Sequence, residues 1–237
     1  LATVAAPGGR THLTMGSAVG AQPMDRDLAL AIHTSSPDLA MAVAPFPWLP
    51  GAPVSAVCKT TGRGLANMLH QELLSLLPAR QWRRLAALAV ATGPGGFTGA
   101  RLGVVLARTM AQNLQVPLFG CGSFVLMARR LAQRLLQEHP GGCAIQLEQP
   151  LRQRGWIRGR YRITSQGGVE ERLAPQLLTT AVAREEDGPW LRHPAVVEPA
   201  TDVVELLRVA MERHALGDPG PWQEVLPLYP AAAAERP

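Results

Sequence analysis

Lysine is almost absent: one, Lys59, stands against 22 arginines in 237 residues. The P-loop, which grips phosphates through Gly-Lys-Ser/Thr, is therefore excluded. An arginine bias of this size is common in GC-rich coding and carries no functional weight by itself. Cysteine is also scarce. Cys58, Cys121 and Cys143 are odd in number and far apart, which excludes a disulfide framework and a zinc spacing and points to a reducing cytoplasm. His12, His33, His70, His139, His193 and His214 never stand four apart, so a His-x-x-x-His metal pair on a helix is missing. Neither a Gly-x-Ser-x-Gly elbow nor a His-Glu-x-x-His pair occurs, which removes the common serine-hydrolase and zinc-protease signatures. No apolar run is long enough to cross a bilayer as a helix. With 47% hydrophobic and 17% charged residues, the chain has the composition of a globular protein with ample core.

Residues 1–23 are rich in Ala, Gly, Thr and Pro and keep no period. They read either as a disordered tail or as sequence upstream of a true start at Met24. From Asp27 the pattern sharpens. Leu28–Ile32 and Leu39–Val43 read as a hairpin around the turn His33-Thr34-Ser35-Ser36-Pro37. A proline-rich loop leads to a strand at Val54–Cys58, and Leu65–Leu77 shows a helical period. A strand at Leu85–Ala91, a helix from Thr98 to Leu114, a strand at Pro117–Cys121 and a helix capped by Ser123 and running to Glu138 follow. The order is β-β-β-α-β-α-β-α. Further on, Cys143–Leu147, Gly155–Thr164 and Val169–Leu173 read as strands, and Asp202–Leu216 as a last helix with Thr201 or Asp202 as its N-cap.

The most informative stretch is Thr92-Gly-Pro-Gly-Gly-Phe-Thr-Gly-Ala-Arg-Leu-Gly103. Strand, glycine turn and helix in succession aim backbone N–H groups at an anion or let another backbone come close. The glycine spacing fits neither the dinucleotide fingerprint nor the P-loop. Gly93, Gly95, Gly96, Thr98 and Arg101 form the candidate anion or nucleotide loop.

With Leu30-Ala-Ile-His-Thr-Ser35 before it and Pro117-Leu-Phe-Gly-Cys-Gly-Ser123 after it, this block resembles the TsaB family, accessory subunits of tRNA threonylcarbamoyladenosine biosynthesis. The resemblance covers residues 27–138 and the closing Leu226-Pro-Leu-Tyr229. It implies an α/β fold of two lobes of the actin-like, sugar-kinase-like (ribonuclease H-like) ATPase class. The first lobe then spans 24–127. The second spans 128–237, with its last helix a candidate to return to the first. It further implies a non-catalytic subunit that pairs with a TsaD-type catalytic paralogue and a TsaE-type ATPase and meets tRNA through that complex. A homodimer through the same helices is the alternative. No metal and no firmly held cofactor is implied, with ATP or ADP at the partner interface as the nucleotide to consider. Two other classes stay open: an autonomous nucleotide-binding phosphotransferase of the same fold, and a metallopeptidase.

Four features sharpen these expectations. The family's turn carries Asp where this chain has His33, so the turn site His33, Thr34 and Ser35 lacks a fixed negative charge, although Thr34 and Ser35 can donate hydrogen bonds. The plainer reading makes His33 a surface strand end. Gly99, Gly103, Ala107 and Ala111 recur every four residues, and glycine inside a helix costs about 1 kcal/mol relative to alanine. The stripe fits close packing on the chain's own sheet or, as the family implies, a partner interface shared with Leu65, Met68 and Leu69. Arg101 in the first helical turn is mildly opposed by the helix dipole, so it faces either solvent or an anionic partner. Arg158, Arg160 and Arg162 alternate on one strand face, with Arg152 and Arg154 upstream. They fit a phosphate-contacting stripe, or, more plainly, a strand blunted by charge.

Overall fold

Leucine and alanine alternate along the first strands, and the two faces of the sheet they build divide in the same way. The computed structural model describes residues 26–48, 51–151, 155–178 and 189–231. Residues 1–25, with the tail and the Met24 start, lie outside this set, as do Arg152 and Arg154. The first sheet contains β1 (Leu28–His33), β2 (Asp38–Pro45), β3 (Ser55–Thr60), β4 (Leu85–Gly93) and β5 (Leu118–Gly122), in the order β3-β2-β1-β4-β5. β1, β4 and β5 run parallel, and β2 is antiparallel to both its neighbours.

Large residues, including Leu30, Ile32, Met41, Leu88 and Val90, point to one face. There they meet α1 (Leu65–Leu76) and α2 (Phe97–Leu114). Ala29, Ala31, Ala40, Ala42, Ala87, Ala89 and Ala91 line the other face. These short side chains let α4 (Pro199–Ala215) lie flat on the sheet through Val203, Leu206, Leu207 and Ala210. Both faces of β1, β2 and β4 are buried, as central strands of such a sheet require, whereas the edge strand β3 is largely exposed.

The second sheet has the order β8-β7-β6-β9 and is built from β6 (Gly142–Leu151), β7 (Gly155–Thr164), β8 (Val169–Leu178) and β9 (Leu191–Pro194). Its core is sealed by Phe124, Met127 and Leu135 of α3 (Ser123–Glu138). Ion pairs join α3 to α4: Arg129 to Glu205 and Glu212, and Arg130 to the buried Asp202 at 2.5 Å. The two sheets, each covered by helices, make an α/β fold. No helix among the described residues is long and apolar enough to cross a membrane.

Two expected caps are corrected. The N-cap of α3 is Gly122, and no side-chain cap bond forms there; the Ser123 hydroxyl is engaged elsewhere. The N-cap of α4 is Glu198, followed by Pro199 at the first helical position, where proline's missing N–H costs nothing. Asp202 instead accepts a bond from the Glu198 N–H at 2.8 Å. At the other end of α2, Gln115 turns left-handed at φ 53°, and Arg26 donates to the carbonyls of Leu114 and Gln115 at 2.8 and 3.0 Å. A cation there suits the negative end of the helix dipole.

After α4 the chain forms a strap. The Leu118 N–H donates to Gly220 O at 2.9 Å, Val225 enters the first core, the Leu228 N–H donates to Thr92 O at 2.8 Å, and the Leu177 N–H donates to Ala231 O at 2.8 Å. The strap thus runs from the β5 edge of the first sheet to β8 of the second.

Candidate functional site

In open α/β sheets the carboxyl ends of parallel strands are where ligands bind. Here the ends of β1, β4 and β5 bring together the turn His33–Pro37, the glycine turn Gly93–Gly96 and the start of α3. All three motifs singled out in the sequence meet at this edge.

The edge is filled by the chain's own groups. The Gly96 N–H donates to the Ser35 carbonyl at 2.6 Å, so that a donor of the candidate anion loop is already engaged. A Cβ at Gly95 would fall 1.9 Å from the same oxygen, so only glycine allows the two turns to touch. The Thr34 hydroxyl donates to Gly99 O at 2.8 Å, and Ser35 Oγ lies 2.7 Å from Ser123 Oγ and 3.3 Å from His33 Nε2. The hydroxyls of Thr34 and Ser35, expected as donors to a ligand, face inward. Beyond the turn, Thr98 is exposed.

His33 is fully buried, which corrects the surface reading. Its Nδ1 has no hydrogen-bond partner. Burial above all, reinforced by the charge of Arg130, lowers the imidazole to about 4, so it is neutral at pH 7. The unfolded chain takes up this proton near the ordinary value of 6.5. Stability from the neutral ring is therefore present above 6.5 and falls as the pH drops towards 4. The whole loss is on the order of 3 kcal/mol. Urea midpoints of the wild type should decline more steeply between these pH values than those of His33→Gln; parallel declines would contradict a buried neutral ring.

The small-residue stripe faces inward, which corrects its reading as a surface open to a partner. A Cβ at Gly99 would sit 2.1 Å from Thr34 O, and one at Gly103 would sit 2.1 Å from Thr34 Oγ1. Ala107 and Ala111 are fully buried. The backbone that comes close belongs to the chain's own β1–β2 turn, and Leu65 of α1 packs over Gly99. Leu65 and Leu69 are core residues, while Met68 is half-buried.

The opposite side of α2 is different. Phe97 and Val105, eight residues apart on one helix face, are 59% and 60% exposed. Arg101 stands between them with its guanidinium 4.9 Å from the Phe97 ring centre, so its own helix supplies its partner. The strap adds the exposed Tyr229, whose ring lies 5.0 Å from that of Phe97. The closing Leu-Pro-Leu-Tyr motif is thereby brought onto the glycine turn. This patch escaped the sequence reading, although apolar residues on the face opposite the glycines were its visible signal.

The arginines of β7 do share a face, but two of the three are engaged within the sheet. Arg158 is buried and paired with Glu148 at 2.9 Å. Arg160 donates to Gln146 Oε1 at 2.8 Å and lies over Trp190. Arg162 is exposed. A continuous phosphate-contacting stripe is therefore not what this strand presents. Among the described residues no cluster of three His, Cys, Asp or Glu could hold a metal ion.

Comparison with known proteins adds three findings. Residues 66–145 match the family described as TsaD, tRNA N6-adenosine threonylcarbamoyltransferase. The tRNA threonylcarbamoyladenosine biosynthesis protein TsaB of Bacillus subtilis (strain 168) is 43% identical over 44 residues, 19% of each chain. The match thus spans about a fifth of that relative's length. Two solved structures from Pseudomonas aeruginosa share the fold. A protein with similarity to peptidase YEAZ has a TM-score of 0.64 at 20% identity, and YeaZ has 0.61 at 19%. Each comparison covers 86% of this chain and 99% of the other.

Proposed function

We propose that this chain, a TsaB/YeaZ-type protein, is a non-catalytic subunit of tRNA threonylcarbamoylation that docks onto a TsaD-type paralogue. A TsaE-type ATPase joins the pair, and tRNA is met through the assembly. The observation that carries this reading is the exposed pair Phe97 and Val105 on one face of α2, with Tyr229 of the strap packed against Phe97. Apolar aromatic clusters of this kind mark protein–protein contacts. Next to it the fold's usual ligand edge is closed by Ser35, Gly96 and Leu228 of the same chain. In this reading ATP or ADP sits between the two subunits rather than within this one. Without the paralogue, the same patch is the surface a homodimer would use.

The test is reconstitution. The chain and the TsaD-type protein of the same organism are mixed and sized by light scattering, and threonylcarbamoyl transfer to tRNA is measured with and without this chain. A mixed complex and a rate that depends on this chain are expected. Absence of a complex in the presence of ATP and tRNA would overturn the reading.

A further inference from the structure

At the far end of α2 the first lobe carries a second surface of different chemistry. The 3-10 turn Ala79–Arg84 precedes β4 directly and exposes Arg80 and Arg83. The Asp27 N–H bonds to Arg84 O at 3.0 Å, which places the start of β1 beside that turn. Arg26, also exposed, reaches from there to the last carbonyls of α2. Two turns back on α2, Arg108 lies over the Trp222 ring. Arg26, Arg80 and Arg83 thus line the amino-terminal edge of the first sheet, and the half-buried Arg108 stands two turns back on α2. Asp27, the one acidic residue in Arg26–Leu28 and Ala79–Leu85, is held by Arg84 at 2.5 Å, α2 contains no acidic residue, and the exposed Glu224 follows two residues after the Trp222 that Arg108 covers.

The edge also lacks what a protein contact needs. None of the exposed large hydrophobic residues lies in Arg26–Asp27, Ala79–Arg84 or the last two turns of α2, whereas protein interfaces have an apolar centre. Exposed guanidinium groups without an apolar core match the phosphates of a nucleic-acid backbone. We propose that Arg26, Arg80, Arg83 and Arg108 form an RNA phosphate-contacting edge. It rests on the tRNA-modification reading. Arg26 meets the last carbonyls of α2, 17 residues beyond Phe97 and about 25 Å from it at ~1.5 Å per residue, while Arg108 lies between, three residues past Val105. One subunit would thus hold a protein partner at one end of α2 and RNA at the other.

The test uses the full chain and an in-vitro-transcribed tRNA whose anticodon reads codons beginning with A, followed by fluorescence anisotropy. Four phosphate contacts imply that affinity falls on the order of 100-fold between about 50 and 200 mM salt. Arg80→Gln/Arg83→Gln should weaken binding roughly tenfold at the lower salt and reduce the slope by nearly 2. Arg162→Gln on β7 should change neither. Where the chain alone binds too weakly to read, the slope is taken on the complex with the TsaD-type protein, with the same loss expected. An unchanged slope in the double variant, or an equal effect from Arg162→Gln, overturns the proposal. So does a weakened protein complex with unaltered RNA binding, which would make the edge a protein contact. Failure of the subunit reading shows separately, as absence of the complex with wild-type protein.

Discussion

Gly99→Ala is expected to destabilise the folded chain by about 2 kcal/mol, the balance of an overpacking cost of ~1–3 kcal/mol and a helix-propensity gain of up to ~1 kcal/mol. The added methyl would lie 2.1 Å from the carbonyl oxygen of Thr34. A backbone atom cannot rotate away, so the β1–β2 turn or the start of α2 must shift, and Ser35 and Gly96 shift with it. For a chain of this size the melting temperature should fall by roughly 4–8 °C. Gly103→Ala provides the contrast. Its methyl would meet the Thr34 hydroxyl at 2.1 Å and the rest of that side chain only at 3.4 Å or more. Thr34→Ala should therefore relieve Gly103→Ala, with a coupling of at least about 1 kcal/mol, and should not relieve Gly99→Ala. Equal stability of Gly99→Ala and wild type in a thermal melt would show that the turn does not press on the helix as described.

Val105→Glu is expected to weaken the complex with the TsaD-type paralogue by at least about 100-fold, the scale of an interface hot spot. The side chain is 60% exposed, so stability should move by no more than about 0.5 kcal/mol. Buried in an interface, the carboxylate would lose its water without gaining a partner. Tyr229→Ala, which removes the ring beside Phe97, should weaken the complex to a smaller degree. Isothermal titration with each variant decides the matter: wild-type affinity for Val105→Glu would move the docking surface away from this face of α2. Gly103→Leu is a poor probe of the same question, because its bulk collides with Thr34 and unfolds what it is meant to report on.

The order of strands and helices through Glu138 was legible because both periods are clean there and glycine and proline mark the ends. β9 was not legible. It has four residues and ends on Pro194, too short a run for alternation to stand out in the sequence. The glycine stripe announced a close approach without saying whose backbone approaches, and the answer lay 65 positions upstream in Thr34. Arg158 and Arg160 were placed on the correct face. Their partners Glu148 and Gln146 depend on the register of β6 against β7, which neither strand specifies alone. His33 looked like a surface residue because a polar side chain after an apolar run normally marks the end of burial. Here Ser35, 3.3 Å from the ring, is itself tied to Ser123 at the start of α3.

The alanine face of the first sheet has a consequence for biosynthesis. Its strands are complete by Gly122, but the helix that covers that face begins at Pro199. A ribosome must add 76 further residues, with the whole second sheet among them, before α4 even begins and Val203 and Leu206 can follow to settle on Ala31 and Ala89. Through that interval the nascent first lobe has one face packed by α1 and α2 and the other bare. Such half-covered sheets bind chaperones and aggregate. A chain truncated before α4 should accumulate on chaperones or in inclusion bodies, although every strand of its first sheet is present.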